Sequence, residues 1–252
     1  MNVMILGAGR GMKDTQESGD YPIYLSELQG KTVLEKLISS CSKLGDVNYI
    51  FSLREDDIKH FHVDEITRII APGSQIIKVS EYTGGAACTA LLATEFIDNA
   101  EELLIIGSNE ILGVNPLDII SHFHEAQADA GVVVFPSIHP RYSYVRVDND
   151  GWVIEAAEKR PISRNATAAF HWYAHGNDFV RSTMAMIRKG ADVDGIFYIS
   201  PALNELVLEQ KKVGCFHITL NQYHPLKVER QIQMYETSLA GQTPVLNKET
   251  EL

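Results

Sequence analysis

Residues 5–13 read ILGAGRGMK, where the apolar run Val3-Met4-Ile5-Leu6 passes into three glycines and two cations. A short apolar run ended by glycine is expected to be a buried strand of a parallel sheet. Gly7, Gly9 and Gly11 let backbone N–H groups approach an anion closely, and Arg10 and Lys13 supply charge to balance it. The stretch therefore predicts a phosphate-holding turn at a strand end. It is not a Walker loop, since the GK[ST] ending is absent, and its G-x-G-x-G spacing is a poor dinucleotide fingerprint. A tight strand-to-helix turn without a ligand is the competing reading.

Working outward, Lys31 to Leu44 puts Val33, Leu34, Leu37, Ile38, Cys41 and Leu44 on one helical face. Val47–Leu53, Gln75–Val79 and Leu103–Ile106 read as strands, with a small-residue helix from Ala86 to about Ile97 between the last two. Pro116 to Ala128 predicts a helix with proline in its first turn, and Val132–Phe135 the strand after it. Strands alternating with helices predict βαβ units and an α/β fold with a mixed, mostly parallel sheet. Tyr142–Val147, the turn Asp148-Asn149-Asp150-Gly151 and Trp152–Ala157 then predict a hairpin, hence a small antiparallel β region. Further on, Ala168–Tyr173 and Val213–Ile218 read as strands, and Phe179–Arg188, Pro201–Gln210 and Glu229 to about Leu239 as helices. We expect a single domain over 1–240, divided into a nucleotide-binding half (1–135) and a substrate-binding half (136–240), with a polar tail at 241–252.

With 252 residues, 45% of them hydrophobic, the chain can bury a sizeable core, and its formal net charge of -11 argues against nucleic acid or an anionic membrane surface as partner. Cys41, Cys88 and Cys215 lie far apart with no CxxC spacing, which argues against a zinc site or disulfide framework. No secretory leader or membrane-length apolar run is evident, so a soluble, cytoplasmic protein is expected.

In open α/β sheets ligands bind at the carboxyl ends of the strands, so the loops after Leu6, Val79 and Ile106 should converge on one crevice. The second of these, Glu81 to Ala90, opens a helix of small residues with Gly84-Gly85, and small side chains let a flat ring or a phosphate approach its first turn; close helix packing explains the same residues equally well. The third ends in Gly107-Ser108-Asn109-Glu110, where Glu110 is the one carboxylate on hand for a hard cation such as Mg²⁺ and Asn109 offers a neutral oxygen. Glu158-Lys159 pairs an acid and a base suited to a sugar hydroxyl and a phosphate, against the plainer reading of a solvated surface pair. His60 and His62, and likewise His122 and His124, are spaced so that a helix separates them, and read as surface residues.

Taken together, ILGAGRGMK, the Pro22 segment with QGKTVLEKLI, GGAACTALLA, LLIIGSNEIL and EKRPISRNATAAFHWYAHGNDF resemble the sugar-phosphate nucleotidylyltransferases, collinearly over about residues 1–235. The resemblance implies a Rossmann-like core shared with GT-A glycosyltransferases. It also implies a reaction in which a sugar 1-phosphate oxygen attacks the α-phosphate of a nucleoside triphosphate, with Mg²⁺ and release of pyrophosphate. Position by position, it places Leu6, Gly7, Ala8, Gly9, Arg10, Gly11 and Lys13 at the triphosphate, Glu81, Gly84, Gly85 and Ser108 around the nucleotide, and Asn109, with Glu110, at the metal. Glu158, Lys159 and Thr167 fall at the acceptor, and Arg10, Lys13 and Lys159 are its candidate catalytic cations. A homo-oligomer is a further expectation.

Three positions depart from the pattern. Pro22-Ile23 stands where the family has Pro-Lys, Asn109 where it has an aspartate, and Tyr223-His224-Pro225-Leu226-Lys227-Val228-Glu229 where it often has a glycine-threonine turn beside a second metal carboxylate. Three functions stay open on this sequence: a nucleotidylyltransferase of sugar-nucleotide or surface-polysaccharide synthesis, a degenerate nucleotide-binding regulator or scaffold, and a GT-A-type glycosyltransferase.

Overall fold

The computed structural model describes residues 1–9, 21–80 and 83–240. Strand β1 (Asn2–Leu6) is followed by a hairpin of β2 (Glu27–Leu28) and β3 (Lys31–Thr32), helix α1 (Val33–Cys41) and β4 (Asn48–Arg54). Helices α2 (Glu55–Phe61) and α3 (Val63–Ile70) lead to β5 (Gln75–Val79), and α4 (Ala86–Leu91) and α5 (Thr94–Ile97) to β6 (Leu103–Gly107). Next come β7 (Glu110–Leu112), α6 (Pro116–Glu125), β8 (Ala130–Pro136), the hairpin β9 (Ser143–Val147) and β10 (Val153–Glu158), and β11 (Asn165–Tyr173). The chain continues through α7 (Gly176–Arg188), α8 (Leu203–Leu208), β12 (Val213–His217), β13 (Tyr223–Pro225) and α9 (Glu229–Ala240).

The fold is α/β, with β1 at its centre. β1 pairs in parallel with β4 and β6, and β4 with β5, so that Leu6 lies between Ser52 and Gly107 at the carboxyl end. β11 then runs antiparallel to β6 and β8, β12 runs parallel to β8, and the β9–β10 hairpin joins through β11. Among the described residues these nine strands form one sheet, and β2–β3 and β7–β13 form small antiparallel pairs beside it.

Local chemistry explains where elements depart from the sequence pattern. α1 begins at Val33 rather than Lys31 because Thr32 caps it: the Thr32 hydroxyl accepts from the Glu35 amide and the Glu35 carboxylate accepts from the Thr32 amide. It ends as a 3-10 turn over Ser42–Leu44 with Gly45 at φ 92°, a left-handed exit. The small-residue helix expected from Ala86 to Ile97 breaks in two, since the Leu92 and Ala93 amides donate three residues back to Thr89 and Ala90. α6 is capped by Asn115 and stops at Glu125, with Gln127 left-handed at φ 52°. The two pieces α2 and α3 had no counterpart in the periodicity, and the left-handed His62, φ 52°, separates them. His60, His62, His122 and His124 are exposed, as their spacing implied.

Both faces of the sheet are covered, which is why its strands read as near-continuous apolar runs. On one face the Phe123 ring of α6 stacks on Trp172 at 5.5 Å and lies over Gly131, where a Cβ would come within 2.4 Å of the ring. Gly131→Ala should therefore lower unfolding stability by about 1–3 kcal/mol, because neither the ring nor the sheet can yield freely. Urea denaturation measures it, and an unchanged midpoint would contradict this packing.

Candidate functional site

The carboxyl ends of β1, β5 and β6 open onto one cleft of about 2340 Å³, lined among others by Leu6, Gly7, Ala8 and Gly9, by Val79 and Ser80, and by Ile106 to Glu110. The glycines of the first loop do different work. The Gly7 amide donates to Ser52 O at 2.9 Å, and a Cβ there would meet that oxygen at 3.0 Å, so Gly7 is set by packing. Nothing among the described residues lies within 4 Å of where a Gly9 Cβ would sit, so no described residue crowds its backbone. Arg10, Gly11, Lys13 and Glu81 lie outside the described residues.

Gly84 and Gly85 both have positive φ, 82° and 129°. A Cβ on Gly85 would be 2.3 Å from Phe197 O, and that oxygen accepts from the Ala87 amide at 3.1 Å while the Phe197 amide donates to Gly84 O at 2.8 Å. The glycine pair is thus shaped by the 196–199 segment, and one amide of the α4 first turn is already committed. This geometry favours the packing explanation for Gly85. Cleft access remains through Gly85, Ala86, Thr83 and Thr89.

Ser108 extends the β1–β6 pairing, its buried amide donating to Leu6 O at 3.2 Å. Asn109 lines the cleft with its side-chain oxygen folded back over Gly107, and its carbonyl accepts from the Leu226 amide at 2.7 Å. Glu110 is buried, accepting from the Ala169 amide at 2.5 Å and the Tyr223 hydroxyl at 3.2 Å. Burial pushes its pKa up, opposed by that amide, the Lys227 charge and the tyrosine hydroxyl. Both Glu110 oxygens are thus engaged by the protein. Among the described residues no cluster of three acidic, histidine or cysteine side chains could hold a metal. A neutral Asn109 beside an engaged Glu110 does not fit the expected Mg²⁺ site, since a hard cation is ordinarily held by one or two free carboxylates.

The Glu158-Lys159 pair, at the end of β10, lines the same cleft. Glu158 is buried and accepts a short hydrogen bond from the Ser143 hydroxyl; burial raises its pKa against that bond and the Lys159 and Lys227 charges. Lys159 adopts φ 52°, and its ammonium lies 5.1 Å from the Tyr198 ring centroid, a side chain whose proximity lifts its pKa. Beneath them Thr167 Oγ1 and Ser200 Oγ are 3.3 Å apart, and His171 Nε2 lies 3.0 Å from Ser200 Oγ. All three line the cleft and are buried, and burial holds the imidazole neutral, its pKa lowered to about 4.

The sequence pattern singled out Thr167 and missed Ser143, His171, Tyr198, Ser200 and Lys227, because their roles arise from strands and turns distant in sequence. His171 did carry one signal, a lone histidine in the apolar strand AAFHWY. Ile23 lines the cleft in a 3-10 turn, and no cation replaces it in that turn. Nearby Arg54 bonds the Asp57 carboxylate at 2.5 Å, and Asp57 also accepts from the Tyr24 hydroxyl at 2.9 Å. That guanidinium is held by an acid.

A cleft at the carboxyl ends of the parallel strands is where open α/β sheets bind ligands. The nucleotidyl transferase family model matches residues 3–194, more than half of the chain, so this chain belongs to the nucleotidyl transferase family. By structure it is similar to a nucleoside-diphosphate-sugar pyrophosphorylase from Vibrio cholerae RC9, with TM-score 0.77 and 20% identity over 94% of this chain and 100% of that one. It is also similar to the inositol-1-phosphate CTP transferase from T. maritima, with TM-score 0.72, 13% identity and 93% of each chain covered. A UDP-glucose pyrophosphorylase solved with UDP-glucose gives TM-score 0.72 and 11% identity over 95% of this chain and 98% of that one. At such identities the likeness shows the fold. Among curated proteins none matches this chain. No helix among the described residues is long and apolar enough to cross a membrane.

The neutral His171 gives a pH signature. Its folded pKa of about 4 lies below the ordinary histidine value of 6.5, so between those values the unfolded chain binds more protons. Stability from this group is complete above about pH 6.5 and is lost as pH falls toward 4. His171→Gln should flatten the dependence of the urea midpoint over that window; an identical slope would show that the imidazole is protonated as readily as in water.

Proposed function

We propose that the protein transfers a nucleoside monophosphate from a nucleoside triphosphate to a sugar phosphate, with release of pyrophosphate, in sugar-nucleotide or surface-polysaccharide synthesis. The observation that carries this reading is the neutral Thr167–Ser200–His171 chain facing the cleft beside the buried Glu158. Hydroxyls, a neutral imidazole and a carboxylate together offer donors and acceptors for the hydroxyls of a polyol, which a bare phosphate or an apolar alcohol would leave unpaired. Lys159 at the rim supplies charge for the phosphate of that substrate.

In this reaction a lone pair on the acceptor phosphate oxygen forms the new bond to the α-phosphorus. The bond from that phosphorus to the bridging oxygen breaks, and its electron pair leaves on pyrophosphate. No proton or electron acceptor is required, so the protein's share is alignment and charge neutralisation. The open Gly9 backbone supports placing the triphosphate at the β1 turn, where Arg10 and Lys13 would be its cations.

A second reading is favoured by Ile23 and Asn109: a protein that binds nucleotide or sugar nucleotide and regulates or scaffolds an active partner. Pyrophosphate release separates the two. Purified protein with Mg²⁺, a panel of nucleoside triphosphates and a panel of sugar 1-phosphates should release pyrophosphate with one pairing, and nucleotide binding without release across the panels would establish the second reading. Within the active pairing, Ser200→Ala should raise KM for the sugar phosphate about tenfold, the cost of one hydrogen bond left unmade, with KM for the triphosphate unchanged.

A further inference from the structure

We propose that Lys227 supplies a second positive charge, beside that of Lys159, that pairs with the acceptor phosphate in this cleft; the inference rests on the nucleotidyl-transfer reading above. Lys227 falls in the segment that departs from the family pattern, and it lines the cleft directly after the strand that closes it. Its backbone is fixed from three directions. Pro225 pairs opposite Glu110 in the β13–β7 ladder, the Leu226 amide donates to Asn109 O at 2.7 Å, and the Lys227 amide donates to Gln231 Oε1 at 2.7 Å. The side chain therefore leaves a rigid base beside Asn109, the position at which the loop after β6 presents no charge.

Of the other described cations lining the cleft, Arg54 is held by Asp57, Arg141 donates to the Tyr142 hydroxyl at 2.6 Å with its guanidinium 4.7 Å from that ring centroid, Lys159 lies 5.1 Å from the Tyr198 ring centroid, and Lys31 stands in β3 just before α1. Among the described residues none makes a side-chain hydrogen bond or ion pair to the exposed Lys227 ammonium, and its charge favours the ionised forms of Glu110 and Glu158, which line the same cleft. An exposed cation that lines the cleft with two carboxylates and bonds neither is placed for a third, anionic group there. The sugar would lie against Glu158 and Ser200, so the anion at this end of the cleft is the phosphate it carries. An ammonium at this place also supplies a charge that neutral Asn109 and the engaged Glu110 do not recruit through a metal.

Lys227→Ala, Lys227→Met and Lys227→Arg test the assignment, with the side chain's exposure leaving the fold intact and the methionine variant keeping the aliphatic stem. Steady-state kinetics are run with the triphosphate and sugar 1-phosphate that the wild-type protein uses best, and calorimetry with inorganic phosphate, common to all acceptors. Expected is a rise in KM for the sugar phosphate or a fall in kcat of about ten- to a hundredfold for Ala and Met, the worth of one charge-assisted hydrogen bond. Weaker phosphate binding, an unchanged KM for the triphosphate and recovery by Arg should accompany it. Wild-type values for Lys227→Ala overturn the assignment while leaving the proposed reaction standing. An equal loss in all three variants shows a structural role instead. A wild-type protein that turns over no pairing and binds no phosphate overturns both.

Discussion

The cleft depends on one buried carboxylate. Glu110 accepts from the Ala169 amide and the Tyr223 hydroxyl, so a single side chain joins the loop after β6 to the middle of β11 and to β13. The need for it lies in β11, whose register on β8 slips between Thr167 and His171. A slipped strand leaves an amide without a ladder partner, and a buried amide must find one. Glu110 provides it, while burial raises its pKa. The same slip sits between Thr167 and His171, which both line the cleft with Ser200. The floor of the site and the polar chain on its wall are therefore consequences of one irregularity and the acid that satisfies it.

This arrangement also accounts for the difference between the expected and observed chemistry of Gly107-Ser108-Asn109-Glu110. A carboxylate at a parallel strand end invites assignment to a metal, but here it is a strut. Among the described residues the cleft's positive charge comes from side chains, with Arg54 paired to Asp57 and the exposed Lys227 lining the cleft with Glu110 and Glu158. An acidic protein with a net charge of -11 can hold a phosphate only where such charge is gathered locally.

Much of the fold was legible in the sequence, because the parallel strands are buried on both faces and so read as short apolar runs closed by glycine or polar residues. Val3–Leu6, Gln75–Val79 and Leu103–Ile106 fall on observed strands, and the Asp148–Gly151 turn falls between β9 and β10. Thr32 with Glu35 was a readable helix start that the apolar face alone overran. What escaped was set by contacts distant in sequence: the break after Leu91, the β7–β13 pair and the slip in β11. The site divides in the same way. Gly9, Asn109, Glu158 and Lys159 could be named from local motifs and Thr167 from the family resemblance, whereas Ser200 and Lys227 acquire their place only when α7, β12 and β13 return the chain to the cleft. The purpose of Gly85 could not be read locally either, since the Phe197 backbone that demands it lies more than a hundred residues on.

The most direct measurement is a crystal structure of the protein soaked with a non-hydrolysable nucleoside triphosphate and a sugar 1-phosphate. The account predicts triphosphate density along the Gly7–Gly9 turn, sugar hydroxyls against Glu158 and Ser200, and the sugar's phosphate within bonding distance of Lys227. Nucleotide bound elsewhere, or a sugar phosphate whose anion turns away from Lys227 and Lys159, would contradict it.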